Sequence, residues 1–375
     1  MNPYKKPMRQ RNIRLACGAA FLMTMGAFGC AQDAPEGATL TPGDGLFVRV
    51  VPDTVQQRVD VLVGDDLFTA YLYADTLAVL KKPVLYPIRT ASGVAVTRGF
   101  PLEGRPGERT DHPHHIGLWF NYGDVNGLDF WNNSDAISPE RAGEMGTIRH
   151  RALTRVESGA GRGELEVTMD WLAPDGTPVL REDTRFIFHA TPGRRTIDRI
   201  TTLTALDEGV SFEDNKEGVL GLRLTRALEM PTDKPITLTD AAGAVTEVPV
   251  LNNDGVTGHY RNSEGVEGYP DVWGKRARWM TLSGVVEGDS VTIAILDHPQ
   301  NVGFPTYWHA RDYGLFAANP FGQAIFSEGA EALHFALAPR ASTTLRHRII
   351  LFSGHPAPDD VEAHYQDFAN ASFDS

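Results

Sequence analysis

The stretch from Gly163 to Leu206 alternates apolar and polar residues through three consecutive runs, GELEVTMDWLA, TPVLREDTRFIFHAT and RRTIDRITTLTAL. An apolar residue at every second position is typical of β-strands with one buried face. The runs are separated by Pro-Asp-Gly at 174–176 and by Pro-Gly at 192–193, which favour tight turns. The sequence therefore predicts three consecutive antiparallel strands here.

Similar runs recur roughly every 10–15 residues along the chain, with turn residues between them. No stretch alternates strands with helices, and no glycine-rich phosphate-binding loop follows a strand, which argues against a nucleotide-binding α/β fold. We predict an all-β fold, a large antiparallel β-sandwich over 45–354. A C-terminal segment, 355–375, contains the helical pattern PDDVEAHYQDFAN, with Asp359 as its N-cap.

The N-terminal segment has the composition of an export signal. Residues 1–29 contain five cations and no acid, and they end in the apolar run 15–29. Cys30 follows small residues as in a lipobox, so we predict a lipoprotein signal peptide at 1–29, lipidation of Cys30 and a flexible tether at 30–44. An ordinary secretory peptide or a retained N-terminal anchor stays open. Ala31 is not the aspartate associated with inner-membrane retention, so the predicted location is the outer membrane, facing the periplasm or the cell surface.

Charge and cysteine content exclude several functions. The formal net charge is −13, and removal of the cationic leader makes the remaining domain more acidic. Such a domain repels phosphates, which argues against a nucleic-acid partner. Cys17 and Cys30 are the only cysteines, so the exported domain has no disulfide, no cysteine nucleophile and no thiolate-held metal. It must rely on a hydrophobic core.

Three histidines lie within four residues of the segment DHPHHIGLWFNYG, which begins at Asp111. His112 and His114 are separated by one residue, a spacing that suits two ligands of one Zn or Cu ion, with His298 or His309 completing the site. The alternative is a turn whose histidines hydrogen bond to nearby carbonyls.

The strand that follows these histidines predicts which side chains share a face. Alternation places Trp119 and Asn121 on one face, together with His115, while Ile116, Leu118 and Phe120 lie on the other.

A second polar segment, SFEDNKEG, precedes the apolar strand VLGLRL. It contains Glu213 and Glu217, either of which would suit acid–base chemistry beside imidazoles. A solvated charged turn is the alternative interpretation.

A third segment, DHPQNVGFPTYWHARDYGLFAANPFG, begins at Asp297 and repeats the D-H-P-x-x-[I/V]-G pattern of the first. Aromatic faces stack on sugar rings, and forked donors and acceptors bind hydroxyls, so its Trp, His, Arg and Asp residues favour a sugar site. An Arg–Asp pair that pins a loop is the alternative. The repeat predicts that His298 and His309 meet the first histidine segment at one cleft.

Five motifs together resemble a known family: KPVLYPIRT, DHPHHxGLWF, DNKEGxxGLR, GYPDVWGKRARW and DHPxNxGFPTYWHARDYGLFAANPFG. Over roughly residues 80–350 the chain looks like the bacterial "PmoA family", a domain of unknown function. The label names a multi-span methane oxygenase subunit, but no second apolar run here is long enough for a span, so that activity is not carried over. The resemblance implies an exported protein associated with sugar processing. By analogy, the strand pattern is similar to the galactose-mutarotase-like super-sandwich.

The sequence predicts an exported, lipid-anchored enzyme that processes a carbohydrate by His/Glu acid–base chemistry, as an epimerase, a lyase or a hydrolase. The predicted proton-transfer residues are His115, His298, Glu217 and Glu213. The predicted sugar-binding residues are Trp119, Asn121, Trp308, His309, Arg311, Asp312 and Asn319. Two alternatives stay open: a non-catalytic glycan-binding lipoprotein, and a Zn or Cu protein. Zn or Cu is the only cofactor considered, and the oligomeric state is left open.

Overall fold

The computed structural model describes residues 46–373, which form two large antiparallel sheets. The strands, in chain order, are β1 Phe47–Asp53, β2 Arg58–Val63, β3 Asp66–Leu72, β4 Val84–Ile88, β5 Leu118–Tyr122, β6 Thr147–Glu157, β7 Gly159–Ala160, β8 Arg162–Leu172, β9 Pro178–Thr191, β10 Arg194–Ala205, β11 Val210–Ser211, β12 Gly218–Arg223, β13 His259–Asn262, β14 Trp279–Val286, β15 Asp289–Asp297, β16 Tyr307–Ala310, β17 Leu315–Asn319, β18 Ala336–Leu337 and β19 Ser342–Ser353. The helices are α1 Gln323–Phe326 and α2 Pro358–Ala369, with 3₁₀ helices at Pro139–Glu144 and Arg226–Leu228.

The two sheets confirm the predicted antiparallel sandwich. The nine-stranded sheet has the order β16-β17-β12-β5-β4-β3-β2-β1-β7, and the eight-stranded sheet has the order β13-β14-β15-β19-β10-β9-β8-β6. A short pair, β11 and β18, lies outside both sheets. The three runs between Gly163 and Leu206 form β8, β9 and β10, which pair in sequence as antiparallel neighbours.

Alternating side chains of both sheets build the core. In β5, Leu118, Phe120 and Tyr122 are buried in the cluster that also holds Leu165 and Val167 of β8. Each buried side chain of this size contributes about 1.5–3 kcal/mol relative to an exposed one. The opposite face of β5 is also buried, but against a separate cluster, and the site lies there.

Helix α2 covers the outer face of the eight-stranded sheet. Its Val361 and Phe368 pack in one cluster with Trp279 of β14. The predicted helix is confirmed, but the prediction of Asp359 as its N-cap is wrong: the side chain of Asp360 accepts the backbone N–H of Ala357, the N-cap residue. Within residues 46–373, no helix is long and apolar enough to cross a membrane. The predicted signal peptide at 1–29, Cys30 and the tether at 30–44 lie outside the described residues.

Candidate functional site

Four strands at one end of the nine-stranded sheet place a row of residues on its outer face. His309 of β16 pairs with Ala317 of β17, Ala317 lies in line with Gly221 of β12, and Gly221 pairs with Trp119 of β5. Paired residues point their side chains to the same face, so the four positions form one line. The small residues in the middle leave room for the Trp119 indole ring, which lies over Gly221.

Four nearly parallel rings, here named the ring column, rise from this row in a staggered arrangement, in which His115 and Tyr313 have ring centroids only 6.4 Å apart. Trp119 and His115 have ring centroids 5.1 Å apart, His115 and His112 are 4.9 Å apart, and His112 and Tyr313 are 4.8 Å apart. The interplanar angles are 16°, 3° and 14°, so the rings are nearly parallel. His115 is 1% exposed, whereas the His112 side chain is 39% exposed. The ring column therefore leads from a sealed base to an accessible imidazole.

Hydrogen bonding determines which ring nitrogen of His115 carries the proton. Trp131 Nε1 lies 3.2 Å from His115 Nε2, and Arg223 Nη1 lies 3.4 Å from His115 Nδ1. Both partners only donate, and a neutral imidazole has a single accepting nitrogen. The shorter contact assigns that role to Nε2, so the proton is on Nδ1. Burial, then the nearby His114 and Arg223, lowers the pKa of His115 well below its usual value, so the ring is neutral.

A hydrogen bond from Lys82 holds the turn that carries the three histidines. Lys82 Nζ donates to the carbonyl of His114 at 2.9 Å and lies 5.5 Å from the Trp119 ring centroid. Burial lowers the pKa of Lys82 to about 7. Burial, then Lys82, lowers the pKa of His114 to about 2. His114 is therefore both buried and neutral.

Six charged side chains beside the column form one connected set of ion pairs, here named the arginine cluster: Arg98, Arg109, Arg223, Arg226, Asp111 and Glu229. Asp111 lies 2.7 Å from Arg223 and 3.0 Å from Arg98. Burial opposes ionisation of Asp111, but Arg223 and the other cations around it hold its pKa well below the usual range. Arg98 also donates to the carbonyls of Asp111, His112 and His115, which fixes the turn.

Glu217 and His309 face each other at the edge of the same surface. His309 Nδ1 lies 3.6 Å from Glu217 Oε2, and the other carboxylate oxygen contacts Lys216 Nζ. The ring of His309 donates to the backbone of Lys216, which leaves Nδ1 without a hydrogen-bond partner among the described residues. Burial, then Lys216 and Arg311, lowers the pKa of His309 to about 3. Glu217 is 15% exposed and His309 is 3% exposed.

A cleft of about 950 Å³ opens beside the ring column. On the sheet side it is lined by Arg109, Asp111, His112, Arg311, Asp312 and Tyr313, and on the other side by Tyr269 and the segments 230–237 and 245–246. The Arg311 guanidinium lies 5.6 Å from the Tyr313 ring and 5.8 Å from the Tyr269 ring. Among the described residues, its side chain makes no hydrogen bond or ion pair. Glu217 and His309 do not line this cleft, but they lie within electrostatic reach of two residues that do, Tyr313 and His112 respectively.

The predicted convergence of both D-H-P segments is wrong for His298. This residue follows β15 of the eight-stranded sheet, where its ring packs against Phe368 of α2 and Phe373. Helix α2 covers that sheet on its outer face, whereas the ring column lies on the outer face of the other sheet. Of the two later histidines, His309 joins the site and His298 does not.

Strand alternation corrects two further predictions. Trp308 lies in the core between the sheets and donates to the carbonyl of Ala277, because its neighbour His309 occupies the outer face. Ile116 packs with Trp119 and not with Leu118, because Gly117 has a φ of 56° and interrupts the alternation before β5 begins.

Two predicted polar residues, Asn121 and Asn319, have local structural partners, and a third, Glu213, is exposed. Asn121 shares the outer face with Trp119, but its amide donates to the carbonyl of Phe130 and it is fully buried. Asn319 accepts from two backbone N–H groups of the following turn and donates to Asn215. Glu213 is exposed.

The predicted Zn or Cu site does not form in the part of the chain that the structure describes. His112 and His114 approach each other, with ring centroids 5.7 Å apart. His298 lies elsewhere, and residues 46–373 contain no group of three His, Cys, Asp or Glu side chains arranged to hold a metal ion.

Sequence reasoning missed much of the charged part of the site: Lys82, Arg98, Arg109, Arg223, Arg226 and Glu229. An available signal was Arg223, a single cation within the apolar strand β12. A charge at such a position needs a buried partner, and that partner was not identifiable from the sequence. Trp131 was likewise given no role.

Comparison with known proteins identifies a family. The model of a family of unknown function, DUF6807, matches residues 58–366. No curated protein matches the chain. The comparisons do not bear on the methane oxygenase label.

Solved structures similar to this chain include an α-galactosidase from Geobacillus stearothermophilus, with 11% identity, a TM-score of 0.37, and coverage of 81% of this chain and 41% of that chain. A galactose mutarotase-like protein from Clostridium acetobutylicum has 9% identity, a TM-score of 0.35, and coverage of 82% and 99%. A galactose 1-epimerase from Lactobacillus acidophilus has 10% identity, a TM-score of 0.34, and coverage of 82% and 98%. The chain thus spans about two fifths of the galactosidase. At these TM-scores we draw nothing about function from the likeness.

Proposed function

Since this chain belongs to DUF6807, a family of unknown function, we propose from the site alone that it is a carbohydrate-processing enzyme. The sugar binds in the cleft beside His112 and Tyr313, and Glu217 and His309 move the proton. The reaction is an epimerisation, an elimination or a hydrolysis, all of which need a base and an acid near neutral pH.

The observation that carries this proposal is the contact between His309 Nδ1 and Glu217 Oε2. The His309 ring donates to the backbone of Lys216, so its Nδ1 atom is an acceptor. It faces a carboxylate oxygen, which is also an acceptor, across 3.6 Å. Two facing acceptors are satisfied only by a proton held between them or by a hydroxyl that donates to one of them. The pair is therefore suited to exchange a proton with a bound sugar.

The cleft has the groups that a sugar requires. Tyr313 and Tyr269 offer aromatic faces for the apolar side of a pyranose ring. Arg311 and Asp312 offer a forked donor and an acceptor for hydroxyls. His112 presents an accessible imidazole at the same wall, and concave sites with few convergent polar groups are typical of small-ligand binding.

We assign His115 and Trp119 a positioning role. Both lie beneath His112 in the ring column and neither reaches the cleft surface. In this proposal Glu217 and His309, and not His115, transfer the proton. His112 is the accessible imidazole.

The test uses the purified domain, a panel of monosaccharides and oligosaccharides, and two assays, calorimetry and product detection. We expect one sugar class to bind and to be converted. Glu217→Gln should bind that class within about threefold of the parent but lower kcat about 10²–10⁴-fold, the usual range for loss of an acid–base group. Glu208→Gln, at an exposed glutamate, is the matched control and should behave as the parent.

Two results would overturn the proposal. Absence of binding to every sugar in the panel removes the sugar site. Binding without product on any ligand, unchanged by Glu217→Gln, leaves the glycan-binding alternative in place of the enzyme.

We also propose that the protein is exported and anchored through a lipid on Cys30. The observations are the cationic start of the chain, the apolar run that follows, and Ala27 and Gly29 shortly before Cys30. Mass spectrometry of the membrane fraction should find a lipidated N-terminal cysteine, and Cys30→Ser should release the protein from that fraction. An unmodified Cys30 in the membrane fraction would contradict the lipid anchor.

A further inference from the structure

We propose that the sugar is acidic and that its anionic group binds at the cleft wall formed by Arg109 and Arg311. This inference rests on the proposed function, since it names the substrate class of the same site. The anionic group is the carboxylate of a uronic acid or a sulfate ester, two groups that a guanidinium fork binds in the same way.

The arginine cluster carries more positive than negative charge. Four guanidinium groups and two carboxylates are connected by contacts of 4.0 Å or less. Arg98, Arg109 and Arg223 are at most 7% exposed, so water does little to screen the excess. Burial, then the neighbouring Arg223, lowers the pKa of Arg98 to about 9, as expected where buried cations repel each other.

Neighbouring acids reduce this excess: Glu108 lies within electrostatic reach of Arg98 and Asp254 within reach of Arg226, while Arg105 is itself paired with Glu103 at 2.7 Å. Glu108 accepts hydrogen bonds from the backbone N–H groups of Gly99 and Phe100, and Arg105 lies 4.0 Å away. Along the cleft, Asp233 and Asp312 are matched in number by Lys234 and Arg311.

Two arginines that line the cleft each have a buried donor atom without a hydrogen-bond partner among the described residues. Arg109 binds Glu229 through Nε at 2.7 Å, but its buried Nη2 atom has no hydrogen-bond partner among the described residues. Arg311 lines the same cleft, and its Nε atom is likewise buried without a described partner. Unsatisfied buried donors are costly, and an anion that accepts from both would remove the cost and balance the charge of the cluster.

The net charge of the whole chain favours binding of a single acidic sugar over binding of an anionic polymer. The formal net charge is −13, so the protein as a whole repels anions. An anionic polymer bound over a wide surface would meet this repulsion, whereas a single acidic sugar in the cleft meets mainly the arginine cluster.

The test compares matched sugars by calorimetry on the parent domain: galactose, galacturonate and galactose 6-sulfate, and glucose with glucuronate. We expect at least one acidic sugar to bind about tenfold more tightly than its neutral partner, with an affinity that falls as salt increases. The carboxylate and sulfate members show which anion is preferred.

Arg311→Gln keeps a polar side chain but removes the charge. It should reduce the ratio of acidic to neutral affinity to about one, within a factor of about three. Arg340→Gln, at an exposed arginine that pairs with Asp207, is the matched control and should keep the parent's ratio.

Equal affinity for acidic and neutral sugars would overturn this inference and leave the proposed function standing. So would free acetate or sulfate that binds as tightly as the acidic sugar, because the wall would then bind an adventitious ion only. Failure of every sugar, neutral or acidic, would overturn the proposed function and this inference with it.

Discussion

Gly221 lies directly beneath the indole ring of Trp119: a Cβ atom at Gly221 would fall 2.4 Å from Trp119 Cε2. No side chain fits in this space without moving the base of the ring column. We therefore expect Gly221→Ala to lower the free energy of unfolding by about 1–3 kcal/mol, the usual cost of overpacking a buried site. Urea unfolding followed by tryptophan fluorescence measures it.

The control for this substitution is Gly143→Ala. Gly143 lies in the 3₁₀ helix Pro139–Glu144, and nothing lies within 4 Å of a Cβ atom built there. Its free energy of unfolding should stay within about 0.5 kcal/mol of the parent. Equal effects at both glycines would show that the Trp119 contact is not the cause.

Trp131 determines which nitrogen of His115 carries the proton. With Trp131 Nε1 donating to Nε2, the proton lies on Nδ1, where it faces Arg223 Nη1 at 3.4 Å. Trp131→Phe removes the donor, so we expect the proton to move to Nε2 and Nδ1 to accept from Arg223. In ¹⁵N NMR spectra, the nitrogen with the chemical shift of a protonated ring atom should be His115 Nδ1 in the parent and His115 Nε2 in Trp131→Phe. Unchanged shifts would contradict the assigned tautomer.

The fold was predictable because its strands have a local signature. Between Gly163 and Leu206, alternation and two turn sequences define β8, β9 and β10 without knowledge of their partners. The face of Ile116 was not predictable, because Gly117 adopts a positive φ just before β5, and glycine gives no advance sign of that conformation. The predicted N-cap of α2 was two residues too late: Ala357 is the N-cap, and the side chain of Asp360, not that of Asp359, accepts its backbone N–H.

The candidate site was predictable only in part. His309 and Arg311 lie two residues apart in one segment rich in Trp, His, Arg and Asp, so the sequence already grouped them as sugar-binding residues. His298 was wrong because a repeated motif does not say to which sheet each copy belongs. The arginine cluster joins Asp111 to Arg223, more than a hundred residues away, through ion pairs that leave no periodic signal in the sequence.

The neutral state of His309 predicts a loss of stability in acid. Its pKa is lowered from 6.5 to about 3, mainly by burial, so the folded state binds fewer protons than the unfolded chain between these values. The free energy of unfolding therefore falls as the pH drops below about 6.5. At about pH 5 this group alone costs about 2 kcal/mol relative to pH 7. Between pH 7 and about pH 5, the free energy of unfolding of His309→Gln, measured by urea unfolding, should fall by about 2 kcal/mol less than that of the parent.

The control for acid sensitivity is His259→Gln, at an exposed histidine on β13. It should show the same loss between pH 7 and about pH 5 as the parent. If His309→Gln also matches the parent, His309 is not the group that titrates.

Tyr313 supplies the last ring of the column and one wall of the cleft, and its ring and hydroxyl can be separated by mutation. The ring lies 4.8 Å from His112, and the Arg223 guanidinium lies 4.7 Å from its centroid. Tyr313→Phe keeps both contacts and should bind the preferred sugar within about threefold of the parent. Tyr313→Leu removes the aromatic face and should weaken binding about tenfold, equivalent to about 1.4 kcal/mol. Calorimetry measures both, and equal losses in the two variants would show that the hydroxyl, not the ring, contacts the sugar.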